Sequence, residues 1–238
     1  MPAAPRHLRV AAFVVLGAAV VAWYVVALRV GALGLWPTVA IIAAGVLPGT
    51  LGLVLLALPL WSRVWIVAAS GLVLGVAAAG FWEAGWHLPS NFAKLAAYTC
   101  AGWVFLRFFE ELSWVLVVAL IIPFVDAISV AAGPTKAIVN HHIEVYSAVA
   151  VAFVAPGGAA ADLGPPDILF YALFLAATLR WRLRPVWTWL AMTGMYSLTL
   201  VLANVADVNG LPALPFLSVG FLAANGDLLW RRFRRRPA

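Results

Sequence analysis

The chain has 238 residues, of which 65% are hydrophobic and 10% are charged, and its mean hydropathy is +1.03. A soluble domain is nearer half apolar and a quarter charged, so these charged side chains are too few to cover a water-facing surface. The formal charge of +6 does not indicate a nucleic-acid partner, because the basic residues lie at the ends of long apolar runs, where they act as topology signals. The composition predicts an integral membrane protein whose solvent is the lipid bilayer.

Apolar segments of about 20 residues can cross a bilayer as helices. Eight such segments lie near 10–28, 36–60, 64–82, 92–108, 112–131, 164–182, 185–205 and 212–230. The first is long for a signal peptide and has no clear cleavage site, so it is predicted to be a retained helix. The second contains Pro48 and Gly49 and is predicted to be one kinked helix. The expected fold is all-α, a single membrane domain over 1–238 with eight or nine transmembrane helices.

Basic residues in the connections predict the orientation. With the N-terminus on side one, that side collects Arg6, Arg9, Arg63, Arg107, Arg180, Arg182, Arg184, Arg231, Arg232, Arg234, Arg235 and Arg236. The other side collects only Arg29, Lys94 and Lys136. The positive-inside rule therefore predicts that both termini are cytoplasmic.

The connection over 132–163 is longer than the others and is predicted to be extracytoplasmic. It contains His141, His142 and Glu144, which we interpret as a solvated loop because no third ligand with metal-site spacing lies nearby. The following Gly157–Ala161 stretch is expected to be flexible. Long loops of this kind are often functional or mobile.

Two aspartates lie inside the apolar segments that flank this connection. Asp126 lies near the end of the fifth segment and Asp167 near the start of the sixth. At 1.5 Å rise per residue, both lie on the order of 5–10 Å inside the same membrane boundary. Charged side chains at such depths are costly and usually functional, so the two carboxyls on antiparallel helices are candidates for a paired site.

Two neighbouring carboxyls do not both ionise easily, so one keeps a proton while the other is charged. The charged carboxyl can take a proton from an attacking water, and the neutral one can donate a hydrogen bond to a peptide carbonyl. This chemistry needs no metal and no cofactor. The same aspartates also fit a proton relay or ion site in a transporter, or hydrogen bonds that hold helices together.

Three motifs carry a resemblance to a known family. Val125–Val130, followed by Thr135 and Lys136, resembles the first catalytic stretch of archaeal presenilin-like proteases. Gly164–Asp167 resembles the Gly-x-Gly-Asp motif of presenilin and signal peptide peptidase, and Pro212–Pro215 contains the Pro-Ala-Leu motif that opens their last helix. The motifs occur in the family's order, in the expected helices and on one predicted membrane side, and the resemblance covers roughly residues 112–230.

The resemblance implies an intramembrane aspartyl protease that cuts the transmembrane helices of other proteins in a prokaryotic cell membrane. Asp126 and Asp167 are the implied catalytic pair. Residues implied to shape the site and place the substrate are Gly164, Pro165, Pro166, Pro212, Ala213 and Leu214. The predicted cytoplasmic C-terminus resembles signal peptide peptidase rather than presenilin. No oligomeric state is implied.

The chain departs from the family pattern at two positions and in one count. Val125 stands where the family usually has tyrosine, Pro166 replaces the second glycine, and eight spans are found rather than nine. A proline before Asp167 cannot copy a glycine at positive φ. Prepilin peptidases share Gly-x-Gly-Asp but lack the Pro-Ala-Leu ending. A proton-coupled transporter and a non-catalytic relative that binds helices are the alternative functions.

Overall fold

The computed structural model describes residues 5–132, 143–208 and 211–234, and these are mostly helical. The helices are α1 (Arg6–Ala27), α2 (Leu35–Ile41), α3 (Leu47–Ala57), α4 (Val64–Glu83), α5 (His87–Phe105), α6 (Leu112–Ala132), α7 (Ile143–Val149), α8 (Pro165–Arg180), α9 (Pro185–Val205) and α10 (Ala213–Arg234). The strands are β1 (Val151–Val154) and β2 (Ala160–Leu163). Some residues named in the predictions above lie outside the described residues: Thr135, Lys136, His141, His142, Arg235 and Arg236.

Six helical segments in the described part of the chain are long and apolar enough to cross a membrane. They are Arg6–Ala27, Leu35–Ser62, Val64–Glu83, Leu112–Val130, Pro185–Val205 and Ala213–Arg232. Such helices indicate a membrane protein, as the composition predicts. Helices α5 and α8, in the regions predicted as spans near 92–108 and 164–182, are not among the six. Helix α8 has only 16 residues, and α5 contains Asn91 and Lys94.

The second apolar segment forms one continuous helical stretch, as predicted, with a local defect before its proline. A π-helical turn, Ile42–Val46, joins α2 to α3 directly ahead of Pro48. Pro48 has no N–H to return to the preceding turn, which leaves a carbonyl there without its helical donor. The Ser197 hydroxyl of α9 donates to the Ala43 carbonyl in this turn at 2.6 Å. The neighbouring helix thus supplies a donor that lipid cannot provide.

Helix α8 lies at the centre of the bundle. Every side chain from Tyr171 to Ala177 is fully buried, and α8 packs against α5, α6, α9 and α10. The approach to α5 is close because Gly102 has no side chain, and a Cβ there would overlap the Leu169 carbonyl oxygen. By contrast, α1 packs mainly on α3 and α4 mainly on α5, so both lie at the outside.

The described part of the connection before α8, residues 143–164, contains regular secondary structure. The stretch Gly157–Ala161, expected to be flexible, forms a turn and the start of β2. Gly157 and Gly158 adopt φ angles of 77° and 78°, which side chains disfavour, and this allows the chain to reverse. Strands β1 and β2 pair antiparallel, so the fold is not purely α-helical. The Gly157 N–H donates to the Val30 carbonyl at 2.9 Å, which ties the turn to the α1–α2 connection.

Candidate functional site

Asp126 lies on α6 and caps the start of a different helix. Its Oδ2 accepts a hydrogen bond from the Leu214 N–H of α10 at 3.0 Å, and the Ala213 N–H also interacts with this carboxyl. Pro212 precedes the first turn of α10, and Pro215 lies within it. Because proline has no N–H, few backbone donors at this helix start need an acceptor. A carboxylate at a helix N-terminus is favoured by these donors and by the helix dipole.

Asp167 lies in the first turn of α8 and caps its own helix. Its Oδ2 accepts a hydrogen bond from the Gly164 N–H at 2.9 Å, and its backbone carbonyl accepts one from the Tyr196 hydroxyl of α9 at 2.9 Å. Pro165 and Pro166 occupy the first two helical positions. Backbone N–H groups at these positions have no partner within the helix, and the φ of proline suits them. The expected conflict between Pro166 and a positive φ therefore does not arise.

The two carboxyls interact electrostatically with each other, and α6 packs against α8. Both aspartates are partly buried. The start of α10 contacts Asp126, and there Ala213 and Leu214 are buried while Pro212 is half-buried. Of the other residues implied for the site, Gly164 is buried, Pro165 is half-buried and Pro166 is exposed. Segments far apart in sequence therefore meet around two acidic groups.

Strand β1 is held from its outer side by side chains. The Asn91 amide of α5 both donates to the Ala152 carbonyl at 2.9 Å and accepts from the Ala152 N–H at 2.8 Å. The Tyr24 hydroxyl of α1 donates to the same carbonyl at 2.6 Å, and the Trp23 indole donates to the Val154 carbonyl at 2.9 Å. Because the backbone groups of Ala152 point away from β2, the pair that it forms with Asp162 is a non-hydrogen-bonded one.

Strand β2 consequently presents an open edge that leads to Asp167. The N–H and C=O of Asp162 point away from β1, since they belong to a non-hydrogen-bonded pair. Among the described residues no third strand pairs with this edge. Gly164 follows two residues later, and its N–H is the donor to the Asp167 carboxyl. An extended segment added along β2 would therefore run towards the two aspartates.

Sequence reasoning did not single out two tyrosines near the site. Tyr146 of α7 interacts electrostatically with Asp126, Asp162 and Asp167. Tyr196 of α9 interacts with Asp126 and Asp167 as well as donating to the Asp167 carbonyl. Neither tyrosine lies within one of the three motifs. Tyr146 reaches the site from α7 and Tyr196 reaches it from α9, so the sequence gives no local signal for their positions.

Helix α7 and the hairpin are anchored on α5. The Lys94 ammonium donates to the Ser147 carbonyl at 3.2 Å, and the Tyr98 hydroxyl donates to the Val149 carbonyl at 2.8 Å. The sequence does contain a signal for the hairpin. Val151–Val154 is rich in β-branched and aromatic residues and is followed by Pro-Gly-Gly, a typical turn sequence.

Two further observations bear on the departures and on metal binding. Val125, which precedes Asp126, is 59% exposed. Within residues 5–132, 143–208 and 211–234, no group of three or more His, Cys, Asp or Glu side chains is arranged to hold a metal ion.

The chain was compared with protein-family models, with curated proteins and with solved structures, and none of the three comparisons gives a match.

Proposed function

We propose that the protein is an intramembrane aspartyl protease, similar to presenilin and signal peptide peptidase, that hydrolyses peptide bonds within transmembrane helices. Asp126 and Asp167 are the proposed catalytic pair. The observation that carries this proposal is the contact of Asp126 with the start of α10 while it interacts with Asp167. Three motifs, each weak by itself, thereby share one site.

The chemistry follows from a pair that holds one proton. The ionised carboxyl takes a proton from water as the water oxygen attacks the peptide carbonyl carbon. The neutral carboxyl donates a hydrogen bond to the carbonyl oxygen, where negative charge develops. When the C–N bond breaks, the departing nitrogen receives a proton from the pair, and the two products are a carboxylic acid and an amine. Sharing one proton also lowers the cost of keeping both groups away from bulk water.

A substrate helix must unwind before its peptide bond can reach the pair, because helical carbonyls are already hydrogen-bonded within the turn. The open edge of β2 supports this step. It offers backbone donors and acceptors to an extended segment, the recognition mode known as strand addition. The proline-rich entry to α10 contacts Asp126 through the Leu214 N–H and leaves irregular backbone beside the site.

The membrane arrangement is part of the proposal. We infer a presenilin-like bundle in which all eight long helical regions cross a prokaryotic cell membrane, with both termini in the cytoplasm. Helices α5 and α8 contact protein on most sides, so they need neither the length nor the apolarity required of a lipid-facing helix. Arg107 and Ser62 lie at the ends of two helical segments, and the Arg107 guanidinium donates to the Ser62 carbonyl at 2.9 Å. This contact supports an arrangement in which these two ends share the membrane side that is rich in arginine.

One observation favours an alternative. Both aspartates cap helices, and a cap alone would retain them in a non-catalytic protein that binds transmembrane helices. Substitution by asparagine separates the two explanations. Asparagine is a good capping residue, so Asp126→Asn and Asp167→Asn keep an acceptor at each helix start while removing the acid.

The test is labelling of the detergent-purified protein with a photoactivatable transition-state analogue of aspartyl proteases. We expect the native protein to be labelled and both asparagine variants to lose labelling while their thermal unfolding stays close to that of the native protein. Equal labelling of all three proteins, or no labelling of a folded native protein, would contradict the proposal. In that case a capping role, in a helix-binding protein or in a proton-coupled transporter, becomes the explanation to pursue.

A further inference from the structure

Asp162 is the single charged side chain of the hairpin, and it has no role in the chemistry described above. It lies on β2, is exposed, and shares its face of the strand with Ala160. Its register partner on β1 is Ala152, whose backbone is held by Asn91. The backbone of Asp162 belongs to the open edge of β2 and its side chain projects from the adjoining face.

The charge of Asp162 is only partly compensated. Among the described residues the one ion pair within 4.0 Å joins Arg184 to Asp227, far from the hairpin in sequence. Lys94 interacts electrostatically with Asp162, but its ammonium donates to the Ser147 carbonyl and lies 5.0 Å from the centre of the Trp82 ring. Tyr146 interacts electrostatically with Asp162 as well as with Asp126 and Asp167, so the three carboxyls have a common neighbour. The surroundings of Asp162 therefore favour a cationic group.

The position of Asp162 relates it to the reacting pair by a fixed spacing. Gly164 lies two residues after Asp162, and its N–H donates to the Asp167 carboxyl. Two residues of strand span about 7 Å. A segment paired along β2 would thus place one of its residues opposite Asp162, about two or three residues from the peptide bond that lies at the carboxyls.

We propose that Asp162 selects substrates with a lysine or arginine about two or three residues from the cleaved bond. This inference rests on the proposed protease function. Opposite charges on directly facing strand positions attract, and the long basic side chain reaches the carboxylate from the neighbouring strand. The substrate class is then a transmembrane helix with a basic residue close to its cleavage site.

The experiment uses a series of peptide analogues that contain a hydroxyethylene group in place of the cleaved bond. Each analogue carries one test residue, which is lysine, norleucine or glutamate. Across the series the test residue occupies every position from three before to three after the hydroxyethylene group. Each analogue competes with the photoactivatable probe for the native protein, for Asp162→Asn and for Asp162→Lys. Asp207→Asn is the matched control, because it removes an exposed carboxylate outside the hairpin at the end of α9.

We expect the lysine analogue to bind the native protein about fivefold more tightly than the norleucine analogue at one position, the size of one favourable cross-strand charge pair. Asp162→Asn should abolish this preference, Asp162→Lys should transfer it to glutamate at the same position, and Asp207→Asn should keep it. A structural role for Asp162 would instead weaken all analogues alike.

The inference is overturned if the native protein shows no lysine preference at any position, or if Asp162→Asn retains it. Failure of the proposed function looks different. The norleucine analogues would then not bind the native protein, or would bind equally to the Asp126→Asn and Asp167→Asn variants, and the inference would fall with the function.

Discussion

Helices α4 and α8 differ in length and in how much of their surface is covered by other helices. Helix α4 has 20 residues, meets the requirements for a membrane span, and buries only Val67 and Ala78. Helix α8 has 16 residues, carries Asp167 in its first turn, and buries more than half of its side chains. Of these two helices, the one that fits a bilayer better by length and apolarity lies at the edge of the bundle, and the other lies at its centre.

Hydropathy reports whether a helix can face lipid, not whether it lies inside the bundle. A long apolar segment is needed where side chains face lipid, because lipid satisfies no polar group. A helix surrounded by protein escapes that requirement, and its polar groups find partners in neighbouring helices. Tyr171 of α8, for example, is fully buried and hydrogen-bonds to Thr193 of α9 at 2.8 Å. A carboxyl is therefore more easily kept on a helix that is surrounded by protein.

The largest effect is expected for Phe174→Ala in α8. Phe174 is fully buried and stacks on Phe221 of α10 with ring centres 4.8 Å apart. Its loss leaves a cavity and should lower the free energy of unfolding by about 3 kcal/mol, the low end of the range for buried phenylalanine because lipid is itself apolar. Leu72→Ala on α4, where Leu72 is 72% exposed, should change it by less than about 0.5 kcal/mol. Denaturant titration in detergent measures both, and similar losses would mean that α4 and α8 are not differently packed.

A second contrast uses glycine. A Cβ at Gly102 of α5 would overlap the Leu169 carbonyl oxygen and lie 3.1 Å from the Ala172 Cβ of α8, whereas Gly75 of α4 has no neighbour within 4 Å. Gly102→Ala should destabilise the protein by about 1–3 kcal/mol through overpacking. Gly75→Ala should stabilise it slightly, by up to about 1 kcal/mol, because alanine favours the helix. Thermal unfolding distinguishes them, and a tolerated Gly102→Ala would contradict the close approach of α5 and α8.

The anchoring of the hairpin is tested by Asn91→Ala. It removes both hydrogen bonds to Ala152 and leaves the Ala152 N–H without an acceptor, at a cost of about 1–3 kcal/mol, while the Tyr24 hydroxyl still donates to the Ala152 carbonyl. Hydrogen exchange at the Ala152 amide should become faster. Ser90→Ala is the control, because the Ser90 hydroxyl donates to the Ala78 carbonyl of α4 at 2.8 Å rather than to β1. Faster exchange at Ala152 in both variants would indicate general loosening of α5 instead of release of the hairpin.

The smallest effect is expected for Pro166→Gly, which introduces the second glycine of the Gly-x-Gly-Asp motif that Gly164–Asp167 resembles. Pro166 is exposed at the second position of α8, where proline fits without strain. Glycine should cost about 0.4–1 kcal/mol through the greater freedom of the unfolded chain. Labelling by the transition-state analogue should match that of the native protein. Stronger labelling of Pro166→Gly would show that the proline restrains the site.

Composition and the lengths of the apolar runs are enough to predict a membrane protein and much of its helical layout. Composition and the lengths of the apolar runs are local quantities, and the bilayer sets the length that a lipid-facing helix needs. The single helical stretch over Leu35–Ser62, with its defect before Pro48, follows from the same local rules. The similar depth predicted for Asp126 and Asp167 follows from counting residues along two helices, and both this depth and their catalytic role stay predictions.

Only the tertiary structure decides which helices lie inside and what the polar groups contact. The anchored hairpin depends on Asn91 reaching Ala152, 61 residues away, and the position of α7 depends on Lys94 reaching Ser147. The partner of Asp126 is a backbone N–H 88 residues later. Such contacts have no local signal, because they arise when separately stable helices pack and each buried backbone group must find a donor or acceptor from whichever neighbour is close.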